Sequence, residues 1–225
     1  MSGSDPVLRV RDVHKSYRRR KVLEGVNFDL PPGQLTGIVG ENGAGKSTLL
    51  RILIGDLPLD HGSVQSQGVM GYCPQETVLH EAFTVVQHLR FLQTAYALDT
   101  LDRAHEVLEI LHCTDYLNDR IATLSGGTRQ KLNLTLALMH GPQVLLLDEP
   151  YQGFDWETYL RFWDLAQDLR DRGCSVLVVS HLAYDASRLD RMYRLHNGVL
   201  VESERTGVSP AHAATNPAST SGVRS

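Results

Sequence analysis

One stretch constrains this chain more than any other: Gly40-Glu41-Asn42-Gly43-Ala44-Gly45-Lys46-Ser47-Thr48. It fits the pattern G-x-x-x-x-G-K-[ST]. Glycines let the backbone close around an anion with its N–H groups pointing inward, and a helix starting near Lys46 adds the positive end of its dipole. In such a loop Lys46 meets the β- and γ-phosphates of a nucleotide, and the Ser47 hydroxyl ligates Mg²⁺. The bland alternative is a glycine-rich turn of no consequence. The flanks argue against it. Gln34–Val39 reads as a short apolar strand and Lys46–Ile54 as a helix. Strand, glycine turn and helix in that order make one half of a parallel βαβ unit.

The rest of the chain alternates in the same way around a helical block. Val7–Val13 and Val22–Leu30 approximate the period of two expected of strands, and Pro31-Pro32-Gly33 is a turn. From Thr84 to about His140 the spacing becomes helical, over Thr84–Leu98, Leu101–His112 and Ser125–Met139. Val144–Leu147 and Cys174–Val179 read as buried strands, Trp156–Arg172 as a helix, and Arg191–Glu202 as a hairpin around Asn197-Gly198. This predicts an α/β core with an inserted helical subdomain near residues 76–140. From 206 to 225 the composition is that of a disordered tail, which leaves 1–205 as the folded domain.

Composition narrows the function. At 225 residues, 42% hydrophobic and 21% charged, the chain is ordinary for a soluble globular domain. No apolar run is longer than Val144–Leu147, against the roughly 20 residues that cross a bilayer. Met1–Pro6 lacks the basic and apolar regions of a signal peptide. A net charge of −4 excludes a global basic field, so no nucleic-acid partner is expected. Cys73, Cys113 and Cys174 are odd in number, far apart and without a Cys-x-x-Cys spacing, which predicts free thiols in a reducing cytoplasm and argues against a metal site.

Two further motifs follow. Val144–Leu147 ends in Asp148-Glu149, which delivers Asp148 to a magnesium ion from the sheet's C-terminal edge and places Glu149 to polarise an attacking water. Alone, an apolar run ending in two acids is better read as a strand reaching a solvated turn. Just upstream lies Leu124-Ser125-Gly126-Gly127-Thr128-Arg129-Gln130. Ser125 and two glycines at a helix start form a second anion site; a simple cap explains the serine but not both glycines. With these three elements in order, the chain resembles the ATP-binding cassette (ABC) ATPases, whose signature motif the Ser125 segment matches.

The resemblance spans about residues 7–204 and implies the rest of a site. Tyr17 resembles the aromatic that stacks on adenine, and Gln75 the glutamine before the helical subdomain, a magnesium ligand beside Ser47 and Asp148. His181 resembles the switch histidine on the γ-phosphate, and Asp155 the aspartate of the loop after the catalytic Glu149. Each taken singly has a bland reading as a strand, loop, edge or capping residue. The resemblance implies the P-loop ABC ATPase fold, with an N-terminal antiparallel β-subdomain and the helical insertion. It also implies ATP and Mg²⁺ as cofactors, and a second ABC protomer whose Ser125–Gly127 closes over the bound nucleotide. A separate transmembrane permease, with the chain peripheral on the cytoplasmic face of the membrane, completes the set. Gly127-Thr128-Arg129-Gln130-Lys131-Leu132 is similar to the branch that exports drugs, antibiotics or lipids. Import, and a soluble non-transport role, are the rivals.

Two departures stand out. Where the family commonly has Glu-Pro-Thr/Ser-x-Gly-Leu-Asp-Pro, this chain has Glu149-Pro150-Tyr151-Gln152-Gly153-Phe154-Asp155-Trp156, with aromatics at three places. Trp156 is expected either at a protomer interface or packed inward with Trp163, seven residues on. Arg18-Arg19-Arg20-Lys21 follows the adenine position and reads as a solvated hairpin or as an auxiliary contact to phosphate or lipid headgroups.

Overall fold

The computed structural model describes residues 5–76, 79–181 and 186–203. In chain order the elements are β1 (Leu8–Tyr17), β2 (Arg20–Leu30), β3 (Leu35–Val39), α1 (Lys46–Leu53), β4 (His61–Ser66) and β5 (Met70–Cys73). Then come α2 (Val85–Ala95), α3 (Asp102–Ile110), α4 (Gly126–Leu138), β6 (Val144–Asp148), α5 (Trp156–Asp171), β7 (Ser175–Ser180), β8 (Arg191–His196) and β9 (Val199–Glu202). An antiparallel sheet runs β2-β1-β4, and a six-stranded sheet runs β5-β6-β7-β3-β8-β9. The second is parallel except for β9, which runs antiparallel to β8. The hairpin between them turns at Asn197 and Gly198, both at positive φ as a two-residue type I′ turn requires.

Every residue of β3, β6 and β7 is buried, as expected of parallel strands covered on both faces. Alternate residues feed two cores. On one face Leu35, Leu145, Leu147, Val176 and Val178 pack with Phe162 and Trp163 of α5. On the other, Ile38, Val144, Leu146, Leu177 and Val179 meet α1 and the inner face of the antiparallel sheet. Helices α2 to α4 enclose a third cluster around Leu89, Leu108, Leu132 and Leu136. Helix α4 also sends Leu134, Ala137 and Leu138 into the first core, so one rigid element joins the helical block to the sheet. Thr84 starts α2 with a capping box: its hydroxyl accepts from Gln87 N, and the Gln87 side chain accepts from Thr84 N.

Two sequence readings change. The first strand runs on past Val13 through bulges and ends at Tyr17, which is exposed rather than half-buried. Strands β4 and β5 give no periodic signal in the sequence. Strand β4 is a largely exposed edge whose one apolar residue is Val64, and β5 is four residues long. The tail from 206 lies outside the described residues.

Candidate active site

The loop Gly40–Gly45 leaves the C-terminal end of β3 and opens α1, the place where an open α/β sheet binds ligands. Gly45 sits at φ +105, a region closed to other residues, and a side chain there would press on Val22. The first helical residue, Lys46, folds back into the loop. Its Nζ donates to the carbonyl oxygens of Gly40 at 2.7 Å and Glu41 at 3.1 Å, and only 7% of the residue is exposed. Burial pushes this ammonium's pKa down, against the pull of the Glu149 and Asp148 carboxylates.

Strand β6 carries the acids to the same edge. Asp148 is buried, and its carboxyl pKa is raised by burial, opposed by the Ser47 hydroxyl and reinforced by the Glu149 charge. Its Oδ1 is buried with no hydrogen-bond partner among the described residues. An orphaned buried carboxylate oxygen beside a serine hydroxyl is a hard, oxygen-only donor pair, which fits Mg²⁺. Glu149 follows at φ +47, an uncommon conformation for a non-glycine residue, held by Glu149 N donating to Val179 O at 2.9 Å. That turn aims its side chain at the end of β7. There Ser180 Oγ donates to Glu149 Oε2 at 3.1 Å, and His181 Nδ1 lies 2.9 Å from Oε1.

Sequence reasoning missed the next member. Tyr151 Oη donates to Ser180 Oγ at 2.7 Å, so Tyr151, Ser180 and Glu149 form one hydrogen-bonded chain. The signal was the aromatic at the third position of Glu149-Pro150-Tyr151, one of the departures from the family's common pattern.

A cleft of about 390 Å³ gathers half of the predicted residues, among them Tyr17, Lys46, Ser47, Thr48, Gln75 and Glu149. Asn42, Gly43 and Gly45 line it too; Gly40 is buried, and Glu41 and Ala44 line a neighbouring cleft. Tyr17 offers a partly exposed ring at the mouth. Arg20 also lines the cleft, with Nη2 at 3.5 Å from Gly43 O, whereas Lys21 pairs with Glu24. All four residues of the basic run are exposed. Gln75 Nε2 reaches Gln152 Oε1 at 3.4 Å.

The signature residues stand apart. Gly126 and Gly127 line a separate groove with Gln152 and Gly153, and share only Gln75 with the first cleft. Ser125 caps α4, accepting from Thr128 N at 3.1 Å, and Asp155 caps α5, accepting from Thr158 N at 2.7 Å. The Thr158 N–H bond holds the Asp155 carboxyl below the usual range. A side chain on Gly127 would come within 2.5 Å of Gly153 O, while one on Gly126 would meet nothing. Trp163 is 3% exposed in the core, but Trp156 is 69% exposed and stacks on Tyr159 at 5.6 Å, so the two tryptophans do not share a buried face.

A glycine loop that opens a helix beside a buried Asp-Glu pair, with a capped Ser-Gly-Gly helix on the same chain, has a counterpart among known proteins. The ABC transporter family model matches residues 23–152. The chain belongs to the ABC transporter family. It is 31% identical over 211 residues to the linearmycin resistance ATP-binding protein LnrL of Bacillus subtilis, covering 87% of this chain and 68% of that protein. To the zinc import ATP-binding protein ZnuC of Vibrio cholerae it is 35% identical over 178 residues, 78% of this chain and 67% of that one. It spans less than a third of its G-family ABC transporter relatives in Dictyostelium discoideum. In fold it matches a dimeric ATP-binding cassette in a post-hydrolysis state bound to ADP and Pi, with TM-score 0.82 at 23% identity over 89% of this chain and 100% of that one. The cassette is thus an ATP hydrolase of ABC type, the ATPase subunit of a transporter. No described helix is long and apolar enough to cross a membrane.

Proposed function

We propose that this cassette powers export of a drug-like, antibiotic or lipid substrate through a separate permease, from the cytoplasmic face of the membrane. The observation that carries the reading is the 31% identity to a linearmycin-resistance ATP-binding protein along 87% of the chain. The signature segment from Gly127 to Leu132 supports it. Import is the second reading, favoured by the 35% identity to a zinc-import subunit. A strain lacking the chain should retain a loaded amphipathic antibiotic that the parent strain extrudes. Unchanged efflux together with failed growth on zinc-limited medium would move the assignment to import.

In the site, adenine stacks on Tyr17 and the phosphates enter the loop Gly40–Thr48, where Lys46 exchanges its two carbonyl partners for phosphate oxygens. Ser47, Gln75 and Asp148 would hold Mg²⁺, which supplies charge neutralisation at the β- and γ-oxygens. Glu149 then orients and polarises the attacking water, and His181 meets the γ-phosphate. Ser125, Gly126 and Gly127 complete the site of a second protomer, with Asp155 in the loop between the two.

Trp156 gives this assembly a reporter. An exposed indole stacked on Tyr159 is a costly surface to leave in water, and aromatics concentrate at interface centres. With Trp163→Phe in a Glu149→Gln background, MgATP should shift Trp156 emission to shorter wavelength, more so at higher protein concentration. Unshifted emission while a sizing column shows the dimer forming would remove Trp156 from the interface.

A further inference from the structure

Away from the nucleotide cleft, three potential metal ligands converge on the outer antiparallel sheet. His14 of β1 and His61 of β4 are direct cross-strand partners, so their side chains leave the same face side by side. Asp12 joins them because β1 is irregular here. The register slips between Val10 and Val13, and again between Arg11 and His14. Asp12 itself sits at φ +48. A residue held in the left-handed region within a bulge is re-aimed, and such strain is common where a side chain has a task. The backbone of this turn is tied down independently: Asp12 N donates to Asn27 Oδ1 at 2.9 Å, and Asn27 Nδ2 donates to Gly25 O at 2.7 Å.

The carboxylate that results lies between the two imidazoles. His14 Nε2 is 2.9 Å from Asp12 Oδ1, and His61 Nδ1 is 3.4 Å from Oδ2. The rings stand edge to face with centroids 5.7 Å apart, and one ligand atom from each residue falls within 4.8 Å of the others. Ligands bound at about 2.0–2.1 Å around one tetrahedral ion lie roughly 3.3 Å apart, so small rotations of these side chains suffice. Gly25 keeps the space open; a Cβ there would stand 3.2 Å from Asp12 Oδ1 and 3.6 Å from His14 Nε2.

We propose that Asp12, His14 and His61 bind a divalent ion of the zinc class, with one or more open positions for water. Two imidazole nitrogens and one carboxylate select Zn²⁺ or its neighbours over Mg²⁺, which takes oxygen ligands. The ion would clasp the exposed edge strand β4 to β1, apart from the magnesium ligands of the nucleotide cleft.

The test titrates the full chain with Zn²⁺ against a chromogenic chelator at fixed neutral pH and follows thermal unfolding in parallel. The wild type should take up one equivalent that His61→Ala and His14→Ala lose, and its melting temperature should rise by several degrees in saturating Zn²⁺. Asp12→Asn provides a third variant, since asparagine tolerates positive φ and keeps the bulge. It should weaken binding while leaving the Zn²⁺-free melting temperature near that of the wild type. Basal ATP turnover without Zn²⁺ should be the same in all four proteins. Uptake unchanged in both histidine variants, or none in the wild type at a hundredfold excess of ion, would overturn the proposal and leave His14 and Asp12 as a polar staple of the bulge.

Discussion

Glu149→Gln should bind ATP as the wild type does while its steady-state turnover falls by about 10²–10⁴-fold, the range a positioned general base contributes. Glutamine matches glutamate in shape and still accepts one hydrogen bond, so either the Ser180 or the His181 contact survives. The lost group is the negative oxygen that would draw a proton from water. Lys46→Ala separates from this cleanly. It removes a buried cation whose donors would pass to phosphate, and charge-assisted hydrogen bonds are worth about 1.5–3 kcal/mol each. Nucleotide affinity should therefore drop by at least about tenfold and turnover should vanish with it. Tyr151→Phe removes the outer link of the Tyr151–Ser180–Glu149 chain, so it should slow turnover far less than Glu149→Gln and leave binding unchanged. Binding of a fluorescent ATP analogue and phosphate release, measured on the same preparations, decide all three. Near-normal phosphate release by Glu149→Gln would take the base role away from Glu149.

The difference between Glu149 and Tyr151 shows what a sequence reveals about a site of this kind. Lys46, Ser47 and Asp148 were legible because their chemistry is local: a loop, a helix start and a strand end fix them within a few residues of a recognisable pattern. The buried strands were legible for the same reason, as apolar runs bounded by turns. Ser180 and Tyr151 are 29 residues apart and meet only because β6 and β7 lie side by side in parallel register, a juxtaposition that no periodicity encodes. Strand β4 was invisible because an exposed edge needs no apolar alternation; its pairing with β1 fixes it. The aromatic loop split in two for a similar reason. Trp163 faces the sheet from mid-helix, while Trp156 occupies the first position of α5, outside the helix's buried stripe. Spacing of seven residues could not separate them, because it specifies a helical face and not where that face stops being covered.

Gly126→Asp should retain nucleotide binding and lose at least about 10²-fold in turnover, the effect of removing preorganised donors from a developing charge. Its own chain gives no reason for such a loss. A Cβ at Gly126 would touch nothing, and the residue lines a groove separate from the cleft that holds Lys46. Gly127, by contrast, is explained within the chain by its approach to Gly153 O, so a substitution there would confound folding with function. On the proposed reading, the cost at Gly126 arises where a second protomer's phosphates would lie. Equal amounts of Gly126→Asp and Lys46→Ala chains test this, since each is inactive alone. In a two-fold dimer the mixed pair rebuilds one site from the wild-type Lys46 of one chain and the wild-type Gly126 of the other. Random pairing should then restore about a quarter of the wild-type sites. A tethered pair of one wild-type and one Lys46→Ala half reports whether a single working site suffices for turnover. If that tethered pair is active and the mixture stays silent with heterodimers present, Gly126 does not act across the interface.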